Sequence, residues 1–264
     1  MLQLKQKKPL SNAQIKTKAA QAFRGNLFGL MGASFCIILV VFAALSLLTK
    51  FTDGQIANSM LQTGINALVV IAVFPLQLGL VRYCSIVYQR GGGASWRELL
   101  HYYRRYFANT VFMALAVVFI GVAIQQLALL IVNLTADMLD RNTALTFSVA
   151  FQLGMIFYLM LRLCPSPWLF IEDPMRSTIR ILEHSFNLTK GKNGKTLRFF
   201  WWAPAALVFV LALVGLFSSG QNMMAANGII IVGTVYFIPR LLVEMSGYVI
   251  NILTVDKLSR SKEG

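Results

Sequence analysis

Six stretches of the chain are almost free of charged side chains, at roughly 27–49, 64–86, 108–133, 144–171, 199–219 and 228–253. Each runs about 20 residues or more, enough at ~1.5 Å per residue to cross a ~30 Å hydrocarbon layer. The pattern predicts an all-α polytopic membrane protein built as a single domain over 1–264. Six transmembrane helices would be arranged as three hairpins.

The polar segments between the hairpins carry a helical period of their own. Ser11 and Gln14 are spaced as a capping box, with Leu10 and Ile15 as a hydrophobic staple. Ile15, Ala19, Ala22 and Phe23 then fall on one helical face. Ser95 and Glu98 repeat the box after Gly91-Gly92-Gly93, and Trp96, Leu99, Leu100, Tyr103 and Phe107 form the next stripe. In the third segment Asp173 can cap and Pro174 suits the first helical position, with Met175, Ile179, Leu182 and Phe186 as the stripe. Each hairpin is thus expected to follow a cytoplasmic amphipathic helix. These helices would either lie on the inner leaflet or pack as a small layer under the bundle.

Charge orients the layout. The chain carries 24 Lys and Arg against 10 Asp and Glu, a net +14, yet only 13% of its residues are charged and 57% are hydrophobic. A soluble domain would carry about 25% charge. The segments 1–26, 82–105, 176–198 and 257–262 hold 6, 5, 6 and 3 of the basic residues, while the other short loops hold only Lys50 and Arg141. The positive-inside rule therefore predicts cytoplasmic N- and C-termini in a plasma-membrane protein, with 254–264 as a cytoplasmic tail. This distribution points to anionic membrane lipids as partners and away from nucleic acid. The first apolar run is too long for a signal-peptide core and reads as the first span. Trp96, Trp168, Trp201 and Trp202 all fall near the predicted inner interface, as anchors.

Two charged residues lie well inside predicted spans. Arg240 is about 18 Å along the last one if that span starts near Gly228. Glu244, one turn on, can pair with it, and Pro239 just before it can free a carbonyl. The pair is either a structural salt bridge or a contact for a substrate or ion in a cavity. Arg162 lies nearer the inner end of its span, as does Arg82, where snorkelling accounts for both. The inward spans contain Arg82, Arg162 and Arg240 at spacings of 80 and 78 residues, which predicts a pseudo-threefold repeat. Convergence of the three would make an anion or lipid-phosphate site.

Other motifs have plainer readings. Residues 189–196 end like a phosphate-binding loop, but Thr189 replaces the first glycine and no strand precedes it. His101 and His184 have no metal-ligand partner at i+4, and Glu172-Asp173 reads as a helix cap. Cys36, Cys84 and Cys164 sit in or beside spans with no metal spacing, so neither a metal nor a cofactor is expected. Gly25, Gly29 and Ala33 are spaced for close helix packing.

Four stretches, KAAQAFRGNLFGL, FPLQLGLVRYCSIVYQRGG, WLFIEDPMRSTIRILEHSFNLTKGKNGKTLRFF and VYFIPRLLVEMSGYVI, sample nearly the whole chain. Together they resemble the bacterial membrane proteins catalogued as domain of unknown function 975. The third is the most telling, with its xxDP turn, amphipathic helix and following span. FPLQLG departs from the Gly-Pro start expected there. The resemblance implies a bacterial integral membrane protein with no assigned activity. The expected function is non-enzymatic: an accessory, lipid-interacting or envelope-homeostasis protein, with a membrane-protein partner as a further expectation. The alternative is a small transporter or permease subunit working through Arg240 and Glu244.

Overall fold

The computed structural model describes residues 9–52, 59–92, 94–135, 141–200 and 223–263. Among the described residues every regular element is a helix. They are α1 (Asn12–Gly25), α2 (Leu27–Thr52), α3 (Ser59–Arg90), a 3-10 turn (Trp96–Glu98), α4 (His101–Arg105), α5 (Phe107–Thr135), α6 (Arg141–Leu163), α7 (Ser166–Glu172), α8 (Thr178–Thr189), α9 (Asn193–Phe200) and α10 (Met223–Glu263).

Among the described residues, five segments are long and apolar enough to span a membrane: Leu27–Ala44, Ala67–Arg90, Phe107–Ile131, Thr146–Glu172 and Ile231–Ser259. The predicted span at 199–219, with Trp201 and Trp202, lies almost wholly outside the described residues. The spans of α3 and α10 are each 61% buried, against 17% for that of α5 and 6% for the span formed by α6 and α7. Hence α3 and α10 form the centre, and α5 and α6 turn their side chains outward. Phe28, Phe42, Phe112, Phe119 and Met160 are exposed, while Ser85 and Ser246 are fully buried. An apolar outer face, with buried serines among an apolar interior, is compatible with a hydrocarbon solvent, because lipid tails solvate Phe and Leu as well as a protein core does.

α2 packs on α3, α5 on both α3 and α6, and α10 on α1, α2 and α3. Gly29 lies against Tyr83 of α3, and Ala33 is fully buried, as close packing along that stripe requires. Pro75 lies within α3 and Pro239 within α10. Pro75 removes the N–H that would reach the carbonyl of Ile71. The next carbonyl, that of Ala72, accepts from the Tyr103 hydroxyl. Gly91 ends α3 with a positive φ of 74°, its N–H reaching the Val87 carbonyl at 2.8 Å.

The short helices gather at the end of the bundle that carries most of the basic residues. Ser11 caps α1 through the full capping box, and Ile15, Ala19, Ala22 and Phe23 are all buried. That stripe therefore packs against α10 and α3 rather than against lipid. Asn251 of α10 clamps the chain just before it, accepting from the Leu10 N–H at 2.7 Å and donating to its carbonyl at 3.1 Å.

Several local expectations are corrected. Ser95 caps only a 3-10 turn, accepting from Arg97 N–H, and the Glu98 carboxylate bonds Arg82. Asp173 ends α7, and residues 174–177 form a turn before α8 starts at Thr178, so Asp173 and Pro174 do not open that helix. The expected tail after residue 253 is helical as far as Glu263, as the last part of α10. Trp168 is buried, its indole N–H donating to Ser246 Oγ at 3.0 Å. It is a core residue because a hydroxyl partner satisfies its polar end.

Candidate functional site

Arg82 and Glu98 form a close, largely buried ion pair at the basic end. Arg82 Nε lies 2.6 Å from Glu98 Oε2, with the two side chains 11% and 28% exposed. The contact joins α3 to the turn that follows it. A close backbone approach makes this possible, since a Cβ at Gly79 would overlap the Leu99 carbonyl. Leu99 and Tyr102 are buried behind the pair. Burial pushes the Tyr102 hydroxyl above the ordinary tyrosine range. It also lowers the pKa of neighbouring His101, and the Arg82 charge lowers it further.

Arg162 is held differently. Its Nε donates to the Tyr158 hydroxyl at 3.3 Å, and its guanidinium lies 4.7 Å from the centre of the Phe186 ring. The Arg162 carbonyl accepts from Ser185 Oγ and Thr189 Oγ1, each at 3.1 Å, which fixes α8 beneath α6. Arg240 Nε stands 3.6 Å from Glu244 Oε1 on α10, the i,i+4 pair anticipated from sequence. Glu244 is 7% exposed and Arg240 41%. Each arginine thus engages a different set of partners.

A polar node ties the central helices. Ser246 Oγ accepts from Trp168, donates to the Leu242 carbonyl at 2.7 Å, and lies 3.1 Å from Ser85 Oγ. Thr196 Oγ1 stands 2.7 Å from the Tyr248 hydroxyl, so the threonine of the phosphate-loop look-alike is engaged in helix packing. Toward the end of α10, Lys257 Nζ meets Glu172 at 2.5 Å. Arg176 Nη1 donates to His184 Nδ1 at 2.9 Å, and His184 Nε2 lies 3.8 Å from Asp256. Among the described residues no three His, Cys, Asp or Glu side chains gather as a metal site.

The third amphipathic stripe is split: Leu182 packs against the core, while its other three members face outward. Met175 is 71% and Ile179 76% exposed, and Phe186 is exposed too. The packed face of α8 is Ile181, Ser185, Leu188 and Thr189. Beside the start of α8, a groove of about 410 Å³ opens between it and α5, lined by Asn109, Phe112, Ala116 and Arg176 among others. Neither Glu98 as the partner of Arg82 nor this groove is readable from sequence, because both depend on chain segments that meet only in the fold.

Compared with known proteins, the sequence matches no family model, no curated protein and no solved structure.

Proposed function

We propose that this is a six-span plasma-membrane protein, with three hairpins in pseudo-threefold repeat and its basic end in the cytoplasm. In this reading it acts without catalysis, as an accessory or envelope-homeostasis protein that engages anionic lipid. The resemblance to domain of unknown function 975 belongs to the same proposal.

The observation that carries it is the composition of the basic end. Outward apolar side chains, Met175 in the turn before α8, Ile179 on α8, and Trp96, Leu100 and Phe107 around α4, stand among Arg97, Arg104, Arg105, Arg176 and Arg180. Apolar groups at the acyl boundary with cations at headgroup level make an interfacial surface. Each cation near an anionic leaflet contributes about 1 kcal/mol. The sixth span is supported by distance. Phe199 stacks on Tyr248 at 4.8 Å between ring centres. Met223 opens α10 some 25 residues before Tyr248, or ~37 Å along a helix. The apolar run 199–219 joins these two points in sequence, and its length and composition suit a crossing.

Extraction in native lipid patches followed by mass spectrometry tests the reading. Enrichment of anionic lipid over the bulk membrane is the expected result. A stoichiometric protein partner would place the function in a shared complex, and absence of both would overturn the proposal.

The transporter alternative rests on Glu244, a buried carboxylate inside a span beside a half-exposed Arg240. It predicts that Arg240→Gln abolishes flux in a folded protein. A structural pair predicts lost stability, with Arg240→Gln and Glu244→Gln strongly non-additive.

A further inference from the structure

We infer that the groove between α5 and the start of α8 is the seat of one anionic glycerophospholipid, its phosphate on Arg176 and an acyl chain along Phe112 and Ala116. The inference rests on the lipid-interacting reading above and assigns it a site that none of Arg82, Arg162, Arg240 or Glu244 supplies.

The lining of the groove is of two chemical kinds, and α5 and the segment 175–179 each contribute both. Phe112, Ala116, Met175 and Ile179 form the apolar part. Phe112 belongs to the outward face of α5 that continues through the exposed Leu115 and Phe119, so this part runs into the lipid-facing surface of a membrane span. An acyl chain can therefore enter without crossing a polar barrier. Asn109, Arg176, Ser177 and Thr178 supply the polar lining, and none of the described residues lining the groove is a carboxylate.

Arg176 is held in place but not neutralised. Its Nη1 donates to His184 Nδ1 at 2.9 Å, and it makes no ion pair among the described residues. A guanidinium offers five N–H donors, so one bond to an imidazole leaves four for phosphate oxygens. Asn109 donates from Nδ2 to the Pro174 carbonyl at 2.7 Å and so fixes the turn that carries Arg176 onto α5. Ser177 makes no cap bond to α8, which leaves its hydroxyl for a ligand. The volume, about 410 Å³, accommodates a headgroup phosphate and the first part of a chain. Charge selects an anionic headgroup, and the apolar lining selects a lipid over a free anion.

The test compares lipid retention by native mass spectrometry, using full-length protein reconstituted in phosphatidylcholine bilayers with a minor fraction of phosphatidylglycerol. The wild type is expected to retain phosphatidylglycerol selectively. Arg176→Gln is expected to retain about fivefold to tenfold less, since one cation is worth about that factor, and Arg176→Lys to recover part of it. Ala116→Phe fills the groove with Arg176 intact and is expected to lose the lipid too. Arg97→Gln, at the same end but outside the groove, is expected to retain it. If the wild type selects phosphatidylglycerol and both Arg176→Gln and Ala116→Phe keep it fully, the groove assignment is overturned while the lipid reading stands. If the wild type shows no selectivity, both fall. If excess inorganic phosphate displaces the lipid, the site takes the free anion and the lipid assignment is overturned.

Discussion

Arg82 and Glu98, 16 residues apart, meet at 2.6 Å across the turn that leaves α3. A positive charge near the end of a span would ordinarily reach for headgroups or water. Here it turns back to a carboxylate on the first turn outside the span. Removing either partner leaves the other charge largely shielded from water, which costs more than the net worth of the pair. We expect Arg82→Gln and Glu98→Gln each to lower the unfolding midpoint in detergent. The double variant should be less destabilised than the sum, with a coupling of about 1–2 kcal/mol. Strict additivity would mean that the two side chains act independently.

Gly79 makes that meeting possible. A methyl there would collide with the backbone of Leu99, which cannot swing aside as a side chain can. Gly79→Ala should destabilise by about 2 kcal/mol or more through this overpacking. A methyl at Gly154, on α6, would meet nothing within 4 Å. Gly154→Ala should be tolerated, so paired thermal melts of the two variants separate close approach from helix propensity.

His101 gives the basic end a pH dependence. Its pKa is held below the ordinary 6.5, first by burial and then by the Arg82 charge. A folded state that disfavours the imidazolium binds fewer protons than the unfolded chain between the two pKa values. Stability is therefore fully present above about pH 6.5 and is lost as pH falls toward the lowered value. Unfolding midpoints recorded from neutral to mildly acidic pH should drop for the wild type and drop less for His101→Gln. Equal slopes would remove His101 as the cause.

The parts legible in the sequence are those set by neighbours along the chain. The capping box at Ser11, the stripe Ile15–Ala19–Ala22–Phe23 and the pair Arg240–Glu244 all need only helical periodicity, and all are present. The apolar stripe of α8 is legible as a stripe, but its partner is not. In water an apolar face means a packed face, whereas beside a membrane it can equally face lipid. Hydroxyl bonds from Ser185 and Thr189 to the Arg162 carbonyl decide which side of α8 packs. Burial of Trp168 is illegible for a similar reason, since its partner Ser246 is 78 residues away. The second capping box fails because Glu98 has a stronger partner than a backbone N–H. A carboxylate paired with a guanidinium forms a charge-assisted bond roughly twice as strong as a neutral one.

Cysteine accessibility tests most directly the central claim, that the basic end faces the cytoplasm beneath an even number of spans. In a background with Cys36, Cys84 and Cys164 replaced, single cysteines would be placed at Asn58, Lys190 and Ser261 and labelled in intact cells with an impermeant reagent. Labelling is expected at Asn58→Cys alone, with Lys190→Cys and Ser261→Cys labelled only after permeabilisation. Labelling of Lys190→Cys or Ser261→Cys from outside, with Asn58→Cys protected, would contradict the claim.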